Sequence, residues 1–123
     1  MPHYAVRMVE DTLAGAEPAV IRALTDAVAE VYGEGFRSLV AVDLVGVPRE
    51  RWGVGGDQVA GTPAEVSLSL REAAFAVPGA PARLITAIAD AMGGVFGADT
   101  RARTNVVLTG VLPGRSGLGG EVR

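Results

Sequence analysis

Pro2, the second residue of the chain, is the residue whose type and position first suggest catalytic chemistry. Methionine aminopeptidase generally removes the first residue before a small residue such as proline, and this step leaves Pro2 with a free secondary amine. An ordinary α-amino group titrates at about 7.7–8.0, and a secondary amine is more basic. Burial and nearby cations both disfavour the ammonium form, so they would lower the pKa and let the amine act as a general base. An amine that stays protonated is a general acid instead, and the sequence leaves this choice open.

Other common catalytic groups are scarce in the sequence. The chain has no cysteine, no lysine among its 11 cations and a single histidine, His3. These counts exclude disulfides, thiolate chemistry and Schiff-base lysines, and they argue against a His-rich metal site or a Ser-His-Asp triad. We therefore expect no metal and no cofactor. The net charge of −3 gives no reason to expect nucleic acid as a partner.

The length and composition fit one soluble globular domain. The 123 residues are enough for a compact core, and 49% of them are hydrophobic and 20% charged. The first residues lack the basic region and long apolar core of a signal peptide. No apolar run approaches the roughly 18 residues that a transmembrane helix needs. We therefore expect no membrane association and a cytoplasmic location.

The chain contains an internal repeat. When the sequence is shifted by 64, residues 19–56 align with residues 83–120 without a gap, and fifteen of the 38 aligned positions are identical. Such similarity indicates two copies of one unit. We therefore predict a single domain, 1–123, built from repeats 1–60 and 61–123 that join near Asp57–Pro63.

Each repeat is predicted to fold as strand, helix, strand. The helices show apolar stripes at helical spacing, and the strands are rich in Val and Leu. The predicted strands are His3–Val9, Leu39–Val45, Glu65–Leu70 and Thr104–Thr109, and the predicted helices are Glu17–Tyr32 and Ala82–Phe96. A strand–helix–strand unit implies a parallel pair with a right-handed crossover. The fold class is therefore α+β, with two tandem β-α-β units forming a four-stranded sheet that carries both helices on one face. The other face has no cover within the chain, so we expect an oligomer.

The sequence resembles the tautomerase superfamily, and within it the 4-oxalocrotonate tautomerase-like chains that fuse two units. The resemblance rests on Pro2, the duplicated unit and the hairpin Trp52-Gly53-Val54-Gly55-Gly56, which has the family form aromatic-Gly-x-Gly-Gly. It covers essentially the whole chain. It implies a tautomerase (MIF-like) fold, a homotrimer, and an amino-terminal proline acting on a small enolisable, usually carboxylated, carbonyl compound.

The two arginines that tautomerases of this family use are absent here, because their places hold Thr12 and Ala41. In the second unit Asn105 takes the place of Ala41, and Arg103 precedes it on the same predicted strand face. The resemblance suggests that Asn105 polarises a substrate carbonyl and Arg103 binds a carboxylate. An exposed strand edge or a salt bridge between subunits remains the alternative for both residues.

Arg71 is the third substrate-binding candidate suggested by the resemblance. It matches the first arginine of the His-Arg-Glu-Gly-Arg segment in the related chloroacrylate dehalogenase. The second arginine of that segment is Ala74 here, and the histidine on that enzyme's helix is Val28, which argues against dehalogenation. Arg71 is expected either to bind a carboxylate or to form a surface ion pair.

Two aromatic residues complete the candidate site. Trp52 matches the hairpin aromatic that lines the family's pocket, and the alternative is an anchor in a subunit interface. Tyr4 lies on the same strand face as Pro2, so it is a possible proton donor, or alternatively a core residue. His3 is expected on the opposite face.

The leading functional interpretation is a cofactor-independent tautomerase, an isomerase with Pro2 as the general base and a small molecule as substrate. One alternative is a decarboxylase or a hydratase-type dehalogenase of the same superfamily, which needs a protonated Pro2. A non-catalytic trimeric protein with the same fold is the third hypothesis.

Overall fold

A computed structural model describes residues 2–123 of the chain. Regular elements follow one another as β1 (His3–Val9), α1 (Glu10–Leu13), α2 (Glu17–Tyr32), β2 (Ala41–Val47), β3 (Gly53–Val54), β4 (Asp57–Gln58), β5 (Ala64–Arg71), α3 (Ala80–Phe96), α4 (Ala98–Ala102), β6 (Thr104–Val111), β7 (Gly117–Leu118) and β8 (Glu121–Val122). Short 3₁₀ segments lie at Glu34–Leu39, Arg49–Arg51 and Glu72–Ala76. No helix within residues 2–123 is long and apolar enough to cross a membrane.

Four long strands form one mixed sheet in the order β2-β1-β5-β6. The pairs β1–β2 and β5–β6 are parallel, as the strand–helix–strand pattern predicts, and β1 pairs with β5 in the antiparallel sense. The central antiparallel pair joins the two β-α-β units edge to edge. The predicted fold class of two such units with both helices on one face is confirmed.

The two long helices are built alike. Each has a proline in its first turn, where the missing N–H costs no hydrogen bond, and each ends at a glycine, Gly33 or Gly97, with φ near +100°. Both helices are followed by a short helical segment whose arginine reaches back to the helix. Arg37 bonds to Asp26 at 2.6 Å, and the repeat-equivalent Arg101 bonds to Asp90 at 2.8 Å.

The core lies between the helices and one face of the sheet. Alternate residues of β1 and β5 point into it, as the burial patterns of both strands show. Its largest fully buried side chains are Tyr4, Met8, Leu24, Leu68, Leu84, Ile88 and Met92. The opposite face of the sheet is open in the protomer, with Val45 and Val107 each about half exposed. His3 lies on this open face, as expected, with Nε2 2.8 Å from Asp43 Oδ2.

Each unit ends in a small hairpin with a two-glycine turn. Gly55 and Gly56 (φ +63° and +92°) connect β3 to β4, and Gly119 and Gly120 (φ +61° and +85°) connect β7 to β8. Positive φ at both turn positions is the geometry of a type I′ turn, which glycine adopts without steric cost. The glycine motif is therefore a hairpin turn, as the sequence analysis expects.

The predicted element bounds differ from the structure mainly at strand ends. β2 begins at Ala41 rather than Leu39, because the segment Glu34–Leu39 forms a 3₁₀ helix before the strand. β6 begins at Thr104, so Arg103 does not lie on the strand and cannot share a strand face with Asn105. That part of the sequence prediction is wrong, since α4 extends to Ala102 and Arg103 forms its cap.

Candidate functional site

Pro2 lines an apolar cavity of about 540 Å³. The residue is buried, and its carbonyl accepts a hydrogen bond of 3.0 Å from the backbone N–H of Ala41. The lining residues are Pro2, Tyr32, Phe36, Leu39, Leu70, Arg71, Ala74, Val77, Leu118 and Arg123. The volume is that of a typical small-molecule site.

Four parts of the fold build the cavity. Pro2 immediately precedes β1, and the antiparallel register of β1 with β5 brings the Leu70–Arg71 end of β5 beside it. The end of α2 and the following 3₁₀ segment supply one wall. The segment after β5 supplies a second wall, and the C-terminal hairpin supplies a third through Leu118 and Arg123.

The first two walls are tied together by Tyr32. Its hydroxyl donates a 2.9 Å hydrogen bond to the carbonyl of Ala74, and its ring lies 5.8 Å from that of Phe36. Burial raises the pKa of Tyr32, so this hydroxyl stays protonated and keeps its donor role. The cavity walls are therefore held by an uncharged contact.

The only charged side chains among the described lining residues are two arginines, Arg71 and Arg123. Both are exposed at the cavity, and neither forms an ion pair with any residue in 2–123. A cation beside an apolar surface is suited to binding a small carboxylate.

The structure thus brings Pro2 and Arg71 together and places the other predicted site residues elsewhere in the protomer. Tyr4 is fully buried under the helices and does not line the cavity; its hydroxyl has no hydrogen-bond partner among the described residues, and burial raises its pKa. Trp52 is partly exposed in a separate shallow depression with Arg7 and Glu65.

Arg103 and Asn105 lie at the far end of the sheet. Arg103 Nε donates to Asp99 at 2.9 Å, and the Asn105 amide donates to Glu65 at 2.7 Å on the open sheet face. Within one protomer, Arg103 and Asn105 therefore do not lie near Pro2. Substrate roles for Trp52, Tyr4, Arg103 and Asn105 stay predictions.

The second unit does not repeat the cavity. The register of the parallel pairs places Ala64 where the first unit has Pro2. The positions equivalent to Phe36 and Leu39 are Thr100 and Arg103. Thr62, from the segment that joins the units, contacts the Thr100 hydroxyl at 2.7 Å and Asp99 at 3.2 Å. A polar network thus replaces the apolar walls at this place in the second unit.

Sequence reasoning missed most of the cavity wall. Phe36 and Leu39 lie in the 3₁₀ segment, where no periodic pattern marks the inward side, and Tyr32 is the last residue of α2. Arg123 lies beyond the aligned repeats. The repeat offered one signal that the two units differ at this place: Leu39 is apolar, whereas Arg103 at the equivalent position is charged. Residues 2–123 contain no group of three or more His, Asp or Glu side chains arranged to hold a metal ion.

Comparison with solved structures defines the class of fold. The Q0 fused 4-OT wild type symmetric trimer is 24% identical, covers 98% of this chain and 94% of its own, and has a TM-score of 0.82. Pt0534 inactivated by 2-oxo-3-pentynoate is 17% identical, with the same two coverages and a TM-score of 0.83. The macrophage migration inhibitory factor-like protein of Entamoeba histolytica is 16% identical, covers 99% and 98%, and has a TM-score of 0.77.

The chain accordingly has the fused 4-OT fold, the two-unit form of the tautomerase fold. The resemblance found in the sequence is confirmed at this level. No family model matches the sequence, and no curated protein matches it.

Proposed function

We propose that the protein is a cofactor-independent tautomerase that acts on a small, enolisable, carboxylated carbonyl compound. The observation that carries the proposal is the burial of Pro2 in an apolar cavity that also presents Arg71. Removal of Met1 would turn Pro2 into a secondary amine that lines a cavity large enough for a substrate.

Each part of the cavity has a role in this reaction. Arg71 binds the substrate carboxylate and lowers the cost of the negative charge that develops on the enolate. The Pro2 amine removes a proton from the carbon beside the carbonyl and returns it at another position of the conjugated system. The apolar walls around Phe36 and Leu39 exclude water and disfavour the ammonium form of the amine, which keeps it basic near neutral pH.

The lining residues favour an isomerase over the related lyase activities. A decarboxylase or a hydratase-type dehalogenase needs an acid or a group that activates water. The described cavity lining contains no Asp, Glu or His, and Tyr4 is buried away from it. A tautomerase needs no further acid, because the amine that accepts a proton also returns one.

The open face of the sheet supports a homotrimer as the functional state. The Q0 fused 4-OT neighbour is a trimer, and Val45 and Val107 leave apolar surface uncovered here. Light scattering on the purified protein should give three times the mass of 12.6 kDa. Val107→Asp places a charge on this face and should reduce the mass to that of smaller species, whereas Ile85→Asp on the exposed side of α3 should leave it unchanged. A monomeric wild type would exclude the trimer.

The first test of function is whether Pro2 is a free, reactive amine. Intact mass establishes whether Met1 is absent. Incubation with a 3-halopropiolate or with 2-oxo-3-pentynoate, the compound that inactivates Pt0534, followed by peptide mapping, should locate a single adduct on Pro2. Retained Met1, or an unlabelled Pro2 in protein that lacks Met1, would rule out the proposed mechanism.

A further inference from the structure

We propose that Arg123 is a second carboxylate-binding residue, which works with Arg71 to hold the carboxylate of a monocarboxylate with an apolar body. The inference rests on the proposed function for the identity of the site. It adds a residue that neither the sequence motifs nor the repeat points to, and it narrows the class of substrate.

The C-terminal hairpin fixes Arg123 at the cavity. The backbone N–H of Arg123 donates to the carbonyl of Ser116 at 2.9 Å, and the Ser116 hydroxyl donates to a main-chain oxygen of Arg123 at 3.3 Å. These two bonds close the hairpin whose Leu118 also lines the cavity. The backbone of Arg123 is therefore anchored, and only its side chain has freedom to adjust to a ligand.

Arg71 and Arg123 lie together at the junction of three concave regions. Both line the apolar cavity and also two shallower depressions of about 330 Å³ each, one lined in part by Glu72 and the other by His3. Arg71 and Arg123 thus lie together at the Pro2 cavity, although they come from β5 and the C-terminal hairpin. Guanidinium groups bind carboxylates in bidentate fashion, and two of them can engage both oxygens.

Neither Arg71 nor Arg123 forms an ion pair with a residue in 2–123, although Glu72 lines one of the depressions that they share. Four other arginines are paired with carboxylates: Arg37, Arg49, Arg101 and Arg103. Arg71 and Arg123 have no such partner among residues 2–123. Two cations without an ion-pair partner, beside an apolar cavity, favour an anionic ligand.

The rest of the lining limits the ligand to one carboxylate. Beyond the two arginines, the cavity is lined by aromatic and aliphatic side chains such as Phe36, Leu39 and Val77. A second carboxylate on the ligand would lie against these walls without a partner, at a large desolvation cost. The ligand class is therefore a monocarboxylate whose remaining part is aromatic or branched aliphatic.

Calorimetric titration with the unreactive probe 3-phenylpropanoate tests the proposal. Arg123→Gln and Arg71→Gln should each weaken binding by about tenfold or more, as expected for the loss of a charged hydrogen bond. Arg115→Gln is the matched control, because Arg115 is an exposed arginine shortly before the same hairpin and does not line the cavity. It should bind like the wild type. Circular dichroism and light scattering confirm that each variant keeps the fold and the oligomeric state.

Ligand variation in the wild-type protein gives a second measurement that needs no mutation. The neutral 3-phenylpropanamide and the dicarboxylate adipate should both bind at least tenfold more weakly than 3-phenylpropanoate. Equal affinity of Arg123→Gln and Arg115→Gln, or no binding of 3-phenylpropanoate to the wild type, would overturn the proposal. Binding does not require turnover, so a protein without tautomerase activity can still show the arginine site, and an active protein can still fail this test.

Discussion

Leu39 and Arg103 occupy equivalent positions in the two units, yet only Leu39 lines an open cavity. Arg103 instead donates Nε to Asp99 at 2.9 Å, and Asp99 also accepts a hydrogen bond from the Thr62 hydroxyl. The substitution of a guanidinium for an isobutyl group converts an apolar wall into a polar cluster covered by the segment that joins the units. This difference between equivalent positions helps to explain why the described part of the second unit does not repeat the Pro2 cavity.

Arg103→Leu tests whether this residue is structural or binds substrate. The hydrogen bond from Arg103 lowers the pKa of the Asp99 carboxyl. A carboxyl whose pKa is lowered by folding stabilises the folded state at pH values above its pKa in the unfolded chain, which is near 3.9. This contribution is lost as the pH falls through the pKa of the folded state. The variant should therefore have a slightly lower Tm than the wild type at pH 7 and the same Tm at a pH where Asp99 is protonated in both states. The loss should be small, because the pair is exposed.

The kinetic readout of Arg103→Leu separates the two interpretations of the sequence. If Arg103 is structural, kcat/KM for an enolised 2-oxo acid should equal that of the wild type. A large rise in KM without a change in stability would support substrate binding by Arg103 in the assembled trimer.

Under the proposed mechanism, in which Met1 is removed, Pro2→Ala replaces the secondary amine by a primary one and removes the ring from the cavity. We expect kcat/KM for ketonisation of a phenylenolpyruvate-type substrate to fall by roughly 10²–10⁴-fold, the usual contribution of a general base. Pro18→Ala is the control, since Pro18 lies in the first turn of α2, remote from the chemistry. Ultraviolet absorbance of the enol follows the reaction. Equal losses in both variants would point to folding rather than catalysis.

The pH dependence of wild-type activity shows whether Pro2 is a base or an acid. A base must be neutral, so kcat/KM should be low below the pKa of the amine and rise to a plateau above it. An acid would give the opposite profile, with activity lost as the pH rises. The second profile would favour the lyase alternative.

Tyr4→Phe should stabilise the protein. The Tyr4 hydroxyl is buried without a partner among the described residues, and such a group costs about 1–3 kcal/mol. We expect the free energy of unfolding to rise by about 1 kcal/mol with activity unchanged.

The matched variant Tyr32→Phe loses the 2.9 Å hydrogen bond to Ala74, and its free energy of unfolding should fall by about 0.5–1.5 kcal/mol. Urea unfolding at one fixed protein concentration measures both, and a large loss of activity in Tyr4→Phe would instead support its role as a proton donor.

Gly94→Ala and the neighbouring Gly93→Ala should change the Tm by different amounts or in opposite directions. Both glycines lie inside α3, where alanine is favoured over glycine by about 0.5–1 kcal/mol. A Cβ at Gly94 would meet no other atom within 4 Å, whereas one at Gly93 would approach the Cβ of Arg101 to 2.9 Å. Gly94→Ala should therefore raise Tm, and Gly93→Ala should gain less or lose stability because the Arg101–Asp90 pair must shift. Equal gains would show that Arg101 relaxes at no cost.

The sequence by itself determined the two units, their four long strands and two helices, and the glycine hairpins. These features follow from local patterns, since helical periodicity, strand composition and the positive φ of paired glycines act within a few residues of chain. It also determined Pro2 and Arg71 as candidates, through the family motif.

Only the tertiary structure decided which residues surround Pro2. The antiparallel register of β1 with β5 brings Arg71 beside Pro2 across about 70 residues of chain, and the closing of the C-terminal hairpin adds Arg123. The same packing places Tyr4 in the core and Arg103 in an ion pair. These positions depend on which distant strands pair and on where the segment that joins the units packs. A local sequence pattern encodes neither of these.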